Sequence, residues 1–360
     1  MTISYRFIGL LVLSIGTCFI FFNPLNLNNE IFPYYLLSIF FVPLKIKDYL
    51  LSILLIVAAV FWFLNFPSFR IFIDPIMILS TIFAFRFFSE LDEEEKNFFF
   101  NFIKFFIFAN TIICIIQTYS DYFQTITYFF FSGREDGVSV KLLDRGVTGL
   151  SPEPAYGSAL IIGLALLYSA YVKPSLIFFT SVSLTIYLQS SISGLAYFFL
   201  YFAFTYLLHY RYDINRLSLR NLSIIYTSIF LIIIFYLYQI DFSQLIQNIR
   251  RLLDFLTFII QEENILMAEE QTGSVRLILI FLSFADLIHY DYGPGFSFFG
   301  YLNRIFATPL ISFIILFYLF RTYKISMSYL IAVMFGFLAG PVLIWPLYFL
   351  TFYGLPKKIG

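Results

Sequence analysis

Phe98-Phe-Phe-Asn101-Phe-Ile-Lys104-Phe-Phe-Ile-Phe-Ala-Asn110-Thr-Ile-Ile-Cys114-Ile-Ile-Gln117-Thr-Tyr119 holds a single charged residue, Lys104, in a run long enough to cross a bilayer. A transmembrane helix needs about 20 mostly apolar residues to span roughly 30 Å of hydrocarbon. Comparable runs lie at 7–22, 31–44, 49–66, 71–88, 155–172, 175–189, 192–209, 222–240, 305–320 and 327–350. The pattern predicts an all-α polytopic membrane protein of about 11 transmembrane helices, in a range of 10–12, with two long outer loops. The last run is interrupted by Gly340, Pro341 and Pro346. The first, with Arg6 ahead of its apolar core, resembles a signal peptide but lacks a small-x-small site before Asn23-Pro24, so it is expected to stay as an uncleaved span.

Composition points the same way. The chain has 360 residues, 60 % of them hydrophobic and 12 % charged, with 22 Lys+Arg against 22 Asp+Glu. A soluble domain carries roughly 25 % charge. Zero net charge leaves no basic surplus for phosphates, which excludes a nucleic-acid binder. The apolar content excludes a disordered chain. The 51 Phe and 27 Tyr are spread over every segment, as expected of packing mass with Tyr anchors at the interface and not of a base-stacking surface. Cys18 and Cys114 both fall inside apolar runs, so neither a disulfide framework nor a thiolate metal site is expected.

Basic residues in short loops set the orientation. With the N-terminus inside, the cytoplasmic face receives Arg6, Lys45, Lys47, Arg86, Lys96, Lys104, Lys173, Arg211, Arg216, Arg220, Arg321 and Lys324, and the outer face only Arg70 in a short loop. The chain then divides into N-terminal membrane helices (1–120), a first outer loop (121–154), central membrane helices (155–240), a second outer loop with amphipathic helices (241–304) and C-terminal membrane helices (305–360). The acidic run Glu90 to Lys96 falls inside, as a solvated face.

The first outer loop packs seven charged residues into positions 134–153 and ends Ser151-Pro152-Glu153-Pro154. Ser151 is expected to cap the following helix, and proline suits its first turn. Glu153, fixed between two prolines near Arg145, sits at the positive end of the helix dipole. A rigidly held ionisable group at a span boundary is a candidate site; the alternative is a carboxylate that only starts a helix.

In the second outer loop, Leu245, Ile249, Leu252, Leu253, Leu256 and Ile260 trace the apolar face of an interfacial helix. Further on, Arg276, Ser283, Asp286 and His289 share one helical face among Leu, Ile, Phe and Ala. Arg276 there must meet water, a carboxylate or a phosphate, with Asp286 a possible internal partner. His289 is the only outer-side histidine, and Tyr290 to Phe296 is a turn-rich close to the loop.

The two loops hold Arg134, Arg145, Arg250, Arg251, Arg276 and Arg304 with only Lys141. Guanidinium forks suit bidentate binding of phosphate or diphosphate. No Asp-x-Asp pair or histidine cluster is found, so metal-independent chemistry without a cofactor is expected. Arginines would stabilise a departing diphosphate while Glu153, Asp286 or His289 serves as the base.

The segment Arg145-Gly-Val-Thr-Gly-Leu-Ser-Pro-Glu153-Pro-Ala-Tyr-Gly, the turn Gln189-Ser-Ser-Ile-Ser-Gly194, Gly273-Ser-Val-Arg276 and Asp291-Tyr-Gly-Pro-Gly295 follow one another in an order that resembles the Wzy-type O-antigen and capsular polysaccharide polymerases, relatives of the O-antigen ligases. The resemblance runs from about residue 90 to 350. It implies a membrane glycosyltransferase of GT-C-like helical architecture in the bacterial inner membrane. Its partners would be the bilayer and undecaprenyl-diphosphate-linked oligosaccharide, with a chain-length regulator as a further possible partner. Oligosaccharide repeat units would be joined at the periplasmic face for lipopolysaccharide or capsule. Match to motif carries Arg145, Glu153 and Arg276 over as diphosphate- or acceptor-handling residues. Two features depart from the family pattern: Ile192 stands where relatives often place arginine, and Tyr301-Leu-Asn303-Arg304 where ligase-like members place histidine.

The competing classes are a lipid-linked oligosaccharide flippase, an O-antigen ligase-like transferase and a membrane acyltransferase. A transporter should carry charges along a central path, and the candidates inside spans are Asp74, Arg86 and Lys104. An acyltransferase would want a histidine near the outer face, whereas His209 lies at the inner end of its span.

Overall fold

The computed structural model describes residues 5–22, 45–65, 86–131 and 146–189, together with single positions 37, 40, 41, 76, 79, 80, 83, 84, 194, 198, 201, 202, 205 and 314. Among the described residues the protein is all-helical, with no strand. The helices are α1 (Tyr5–Cys18), α2 (Ile46–Asn65), α3 (Glu93–Tyr119), α4 (Asp121–Phe131), α5 (Pro154–Tyr171) and α6 (Leu176–Gln189).

The apolar run that opens the sequence reading is the body of α3. Its buried residues are Phe99, Phe100, Ile103, Phe106, Ile107, Asn110, Thr111, Cys114 and Gln117. Steps of three and four keep them on one face, which packs against α6, α1, α5 and α4. The other face exposes Phe105, Ile112, Ile115, Ile116 and Tyr119. A helix apolar all round belongs in a large core or a membrane. Among the described residues, α3 is the one helix both long and apolar enough to cross a bilayer, at a mean hydropathy of 2.0. Apolar helices of shorter length occupy α1, α5 and α6.

The acidic run at its start does more than face solvent. Asp92 is the N-cap of α3 and accepts from Glu95 N at 2.9 Å, while Glu95 Oε2 accepts from Asp92 N at 2.9 Å. This capping box satisfies two donors that the helix cannot pair internally. Glu95 Oε2 also receives Arg6 Nη2 at 2.7 Å, and Glu90 O accepts from the same atom at 2.8 Å. The hydrogen bond to Glu95 raises the pKa of the Arg6 guanidinium above its ordinary value. α1 and α3 therefore start side by side and run parallel.

α2 meets the rest of the protein along a narrow stripe. Asp48 and Leu55 are buried and Ser52 is half-buried, whereas Ile46, Tyr49, Leu50, Ile53, Leu54, Val57 and Leu64 are exposed. Lys45 N donates to Asp48 Oδ2 at 2.8 Å, closing the first turn. The same oxygen takes Arg86 Nε at 3.2 Å, in an ion pair that is almost wholly buried.

Ring contacts fix which helix ends share a side. Phe88 lies against Phe99 and Tyr171 at 5.4 Å each, Phe100 lies 4.9 Å from Tyr171, and Tyr168 stacks on Phe178 at 4.3 Å. At the other end Phe21 stacks on Tyr156 at 5.9 Å. So α5 runs against α1 and α3, and α6 returns alongside α3. Every described basic residue except Lys104 lies at the end where α1, α2 and α3 begin: Arg6, Lys45, Lys47, Arg86, Lys96 and, after α5, Lys173. The loop 146–153 lies at the opposite end. The stretch expected as the first outer loop opens with α4, hinged at Ser120, whose Oγ accepts from Phe123 N at 3.3 Å.

Candidate functional site

Residues 146–153 enter the helix bundle as irregular backbone, and three side-chain amides pair it there. Gln117 Oε1 accepts from Gly149 N at 2.8 Å and Gln117 Nε2 donates to Gly149 O at 3.1 Å, so one residue closes both groups of that peptide position. Asn110 Oδ1 accepts from Leu150 N at 2.9 Å. Gln189 Nε2 donates to Thr148 O at 3.2 Å. The α6 backbone contributes Leu188 O, which accepts from Val147 N at 3.1 Å. All three amide residues are buried. Buried non-helical backbone is tolerated only when its polar groups find protein partners, which accounts for Asn and Gln on otherwise apolar helices.

Close approach also selects glycine. Gly149 adopts φ +65°, and a Cβ there would lie 2.7 Å from Asn110 Oδ1. A Cβ on Gly146 would reach 2.5 Å from the Gln189 backbone, and one on Gly157 would meet Gln189 Nε2. The loop, the first turn of α5 and the last residue of α6 are thus in direct contact.

Glu153 stands where this loop becomes helix. It is itself the N-cap of α5, with extended backbone (φ −143°, ψ 151°), followed by Pro154 in the first turn. The expectation that Ser151 caps this helix is corrected. Ser151 Oγ donates instead to Thr148 O at 2.6 Å and Glu153 O at 2.8 Å, because the loop folds back on itself before the helix starts. The Glu153 carboxylate makes no capping hydrogen bond and is half-buried. A carboxylate in that position, beside the N-terminus of α5, can accept a proton from a bound hydroxyl.

Of the other candidate residues, Arg134, Arg145, Arg250, Arg251, Arg276, Arg304, Asp286 and His289 lie outside the described residues. Arg145 directly precedes the described loop in sequence. Asn110 and Gln117 were given no role from the sequence, and Gln189 only a place at the start of the Gln189–Gly194 turn; none was expected to hold the loop. The signal available was uncharged amides on the buried side of apolar runs. Among the described residues no His, Cys, Asp and Glu side chains gather in a set able to hold a metal ion. Arg86 is closed off by Asp48, and Arg86 Nη2 has no hydrogen-bond partner among the described residues.

Compared with protein-family models, curated proteins and solved structures, the chain matches none.

Proposed function

We propose that the chain is a polysaccharide polymerase, a multi-pass glycosyltransferase of the bacterial inner membrane. It transfers an oligosaccharide from undecaprenyl diphosphate onto a lipid-linked acceptor unit at the periplasmic face. One observation carries the proposal: a buried, amide-braced loop delivers Glu153 to the end of the bundle opposite the basic residues. On the positive-inside rule the basic end is cytoplasmic, so Glu153 works from the outside, where lipid-linked repeat units are joined. The N-terminus is then cytoplasmic. About 11 spans fit the apolar runs, with the described helices supplying the first, third, fifth, sixth and seventh.

In this mechanism the acceptor hydroxyl loses its proton to a carboxylate as it attacks the anomeric carbon of the donor sugar. The bond to the diphosphate oxygen breaks, and the diphosphate leaves with the electron pair. Glu153 is the foremost base, with Asp286 and His289 the other candidates. Arg145 and Arg276, supported by Arg134, Arg250, Arg251 and Arg304, bind the diphosphate and stabilise its growing charge. A flippase reading draws less support, because the charged span residue Arg86 is neutralised against Asp48 at one end of the bundle.

The test is complementation in the host strain from which this chain has been deleted. Arg276→Ala and Glu153→Gln should each abolish polymer while the protein still reaches the membrane. Normal polymer ladders from Arg276→Ala remove the arginine from the site, and normal ladders from Glu153→Gln leave Glu153 only its place at the helix start.

A further inference from the structure

Gln189 is wholly buried and touches both flanks of Glu153. Its Nε2 donates to Thr148 O at 3.2 Å, five residues before the carboxylate. Its Oε1 accepts from Ser158 Oγ at 2.8 Å, five residues after it. Thr148 O also takes Ser151 Oγ at 2.6 Å, and that hydroxyl reaches on to Glu153 O at 2.8 Å. A single side-chain amide therefore ties the incoming loop, the residue that starts α5 and the second turn of α5 into one unit.

Nothing else on α6 calls for an amide at its last position. The other buried polar side chains of α6 are hydroxyls: Ser183 Oγ donates to Phe179 O of its own helix, and Thr185 pairs with Thr111 of α3. The glycines agree: Gly146 and Gly157, on either side of Glu153, each leave no room for a Cβ against Gln189. Gln117 and Asn110 fix only the middle of the loop, at Gly149 and Leu150.

We infer that Gln189 is a positioning residue for Glu153: it does not touch substrate but sets where the carboxylate stands relative to the bound acceptor. The inference rests on the polymerase reading and goes beyond it by naming the group on which the geometry of the base depends. Misplacing a catalytic group by about 1 Å costs on the order of 100-fold in rate, so Gln189→Ala should slow polymerisation by that order.

The experiment uses isolated membranes of the host, which hold their own lipid-linked repeat units, with the chain supplied as wild type or variant. Initial polymerisation rate per membrane-inserted protein is measured beside amide hydrogen exchange over 146–153. Gln189→Ala should slow the rate on the order of 100-fold and raise exchange in 146–153 but not in α3. Gln189→Glu provides the rescue. Burial favours its neutral carboxyl, which can still donate to Thr148 O, so its rate relative to wild type should recover as pH is lowered.

Each alternative result is decisive. If Glu153→Gln is inactive while Gln189→Ala keeps a wild-type rate, the positioning role is overturned and the polymerase reading stands. If Glu153→Gln polymerises normally, the assignment of the base falls and the positioning role falls with it. If Gln189→Ala slows polymerisation while exchange in 146–153 is unchanged or rises equally in α3, Gln189 is a packing residue and the positioning role is overturned. Should Gln189→Ala fail to accumulate, Gln189→Glu decides alone, and a folded variant without recovery at low pH overturns the inference.

Discussion

The Asp48–Arg86 pair allows a double-mutant cycle whose outcome follows from its burial. Asp48 is 1 % and Arg86 7 % exposed, and one carboxylate oxygen serves both Arg86 Nε at 3.2 Å and Lys45 N at 2.8 Å. Asp48→Asn keeps the size and an acceptor for Lys45 N but removes the charge, leaving a guanidinium whose Nη2 already lacks a partner among the described residues. Breaking a buried pair on one side costs about 3–5 kcal/mol, because the remaining charge is uncompensated. Arg86→Met should cost a similar amount for the converse reason. The double variant should return to within about 1 kcal/mol of wild type, since a neutral, well-filled site needs no pairing. For 360 residues an unfolding entropy near 2.1 cal/mol/K per residue converts 1 kcal/mol into about 1.3 °C of Tm. Each single variant should therefore melt about 4–7 °C lower and the double close to wild type. The two native cysteines supply the assay: Cys18 and Cys114 are free and buried, so a thiol-reactive dye reports their exposure as the detergent-solubilised protein unfolds. Additive losses, or three variants melting together with wild type, would refute the coupling.

Three further outcomes follow from the same structure. Gly149→Ala must hold a side chain at φ +65° and press a Cβ against Asn110 Oδ1 at 2.7 Å; strain of about 1–2 kcal/mol from the left-handed backbone alone should lower Tm in the dye assay, and an unchanged Tm would show that the loop is not locked. Asp92→Ala removes the capping box of α3 and should cost about 1 kcal/mol, read in the same way, with no loss meaning that Glu93 and Glu94 suffice. Sidedness is tested in a chain with Cys18 and Cys114 replaced by alanine. Arg134→Cys and Arg276→Cys should be labelled from outside the inner membrane and Lys96→Cys only after it is opened; the reverse pattern inverts the topology.

Helices were legible because an apolar run has one solution at this length: the spans expected at 49–66, 98–119, 155–172 and 175–189 correspond to α2, α3, α5 and α6 within a few residues. The start of α3 was readable in kind, since Asp92 followed by Glu95 is a capping-box spacing, yet charge composition alone suggested only a wet face. Glu153 stood out by its prolines. The contacts of Asn110, Gln117 and Gln189 with its loop were not legible, because these residues are separated from the loop by tens of residues. Hydropathy shows that an amide is out of place in an apolar run, and only the fold shows which peptide group it was placed to meet. The partner of Arg86 was hidden for the same reason, 38 positions away at the start of another helix.

The interlocked rings of Phe88, Phe99, Phe100, Tyr168, Tyr171 and Phe178 have a consequence for a cell that stores energy as a proton gradient. They lie between the polar network around Gln189 and the basic end of the bundle, where α1 and α3 begin, and a stack of aromatic rings offers water no continuous file. An enzyme of the proposed kind can then keep a polar site at one end of the bundle without draining the gradient through its own interior.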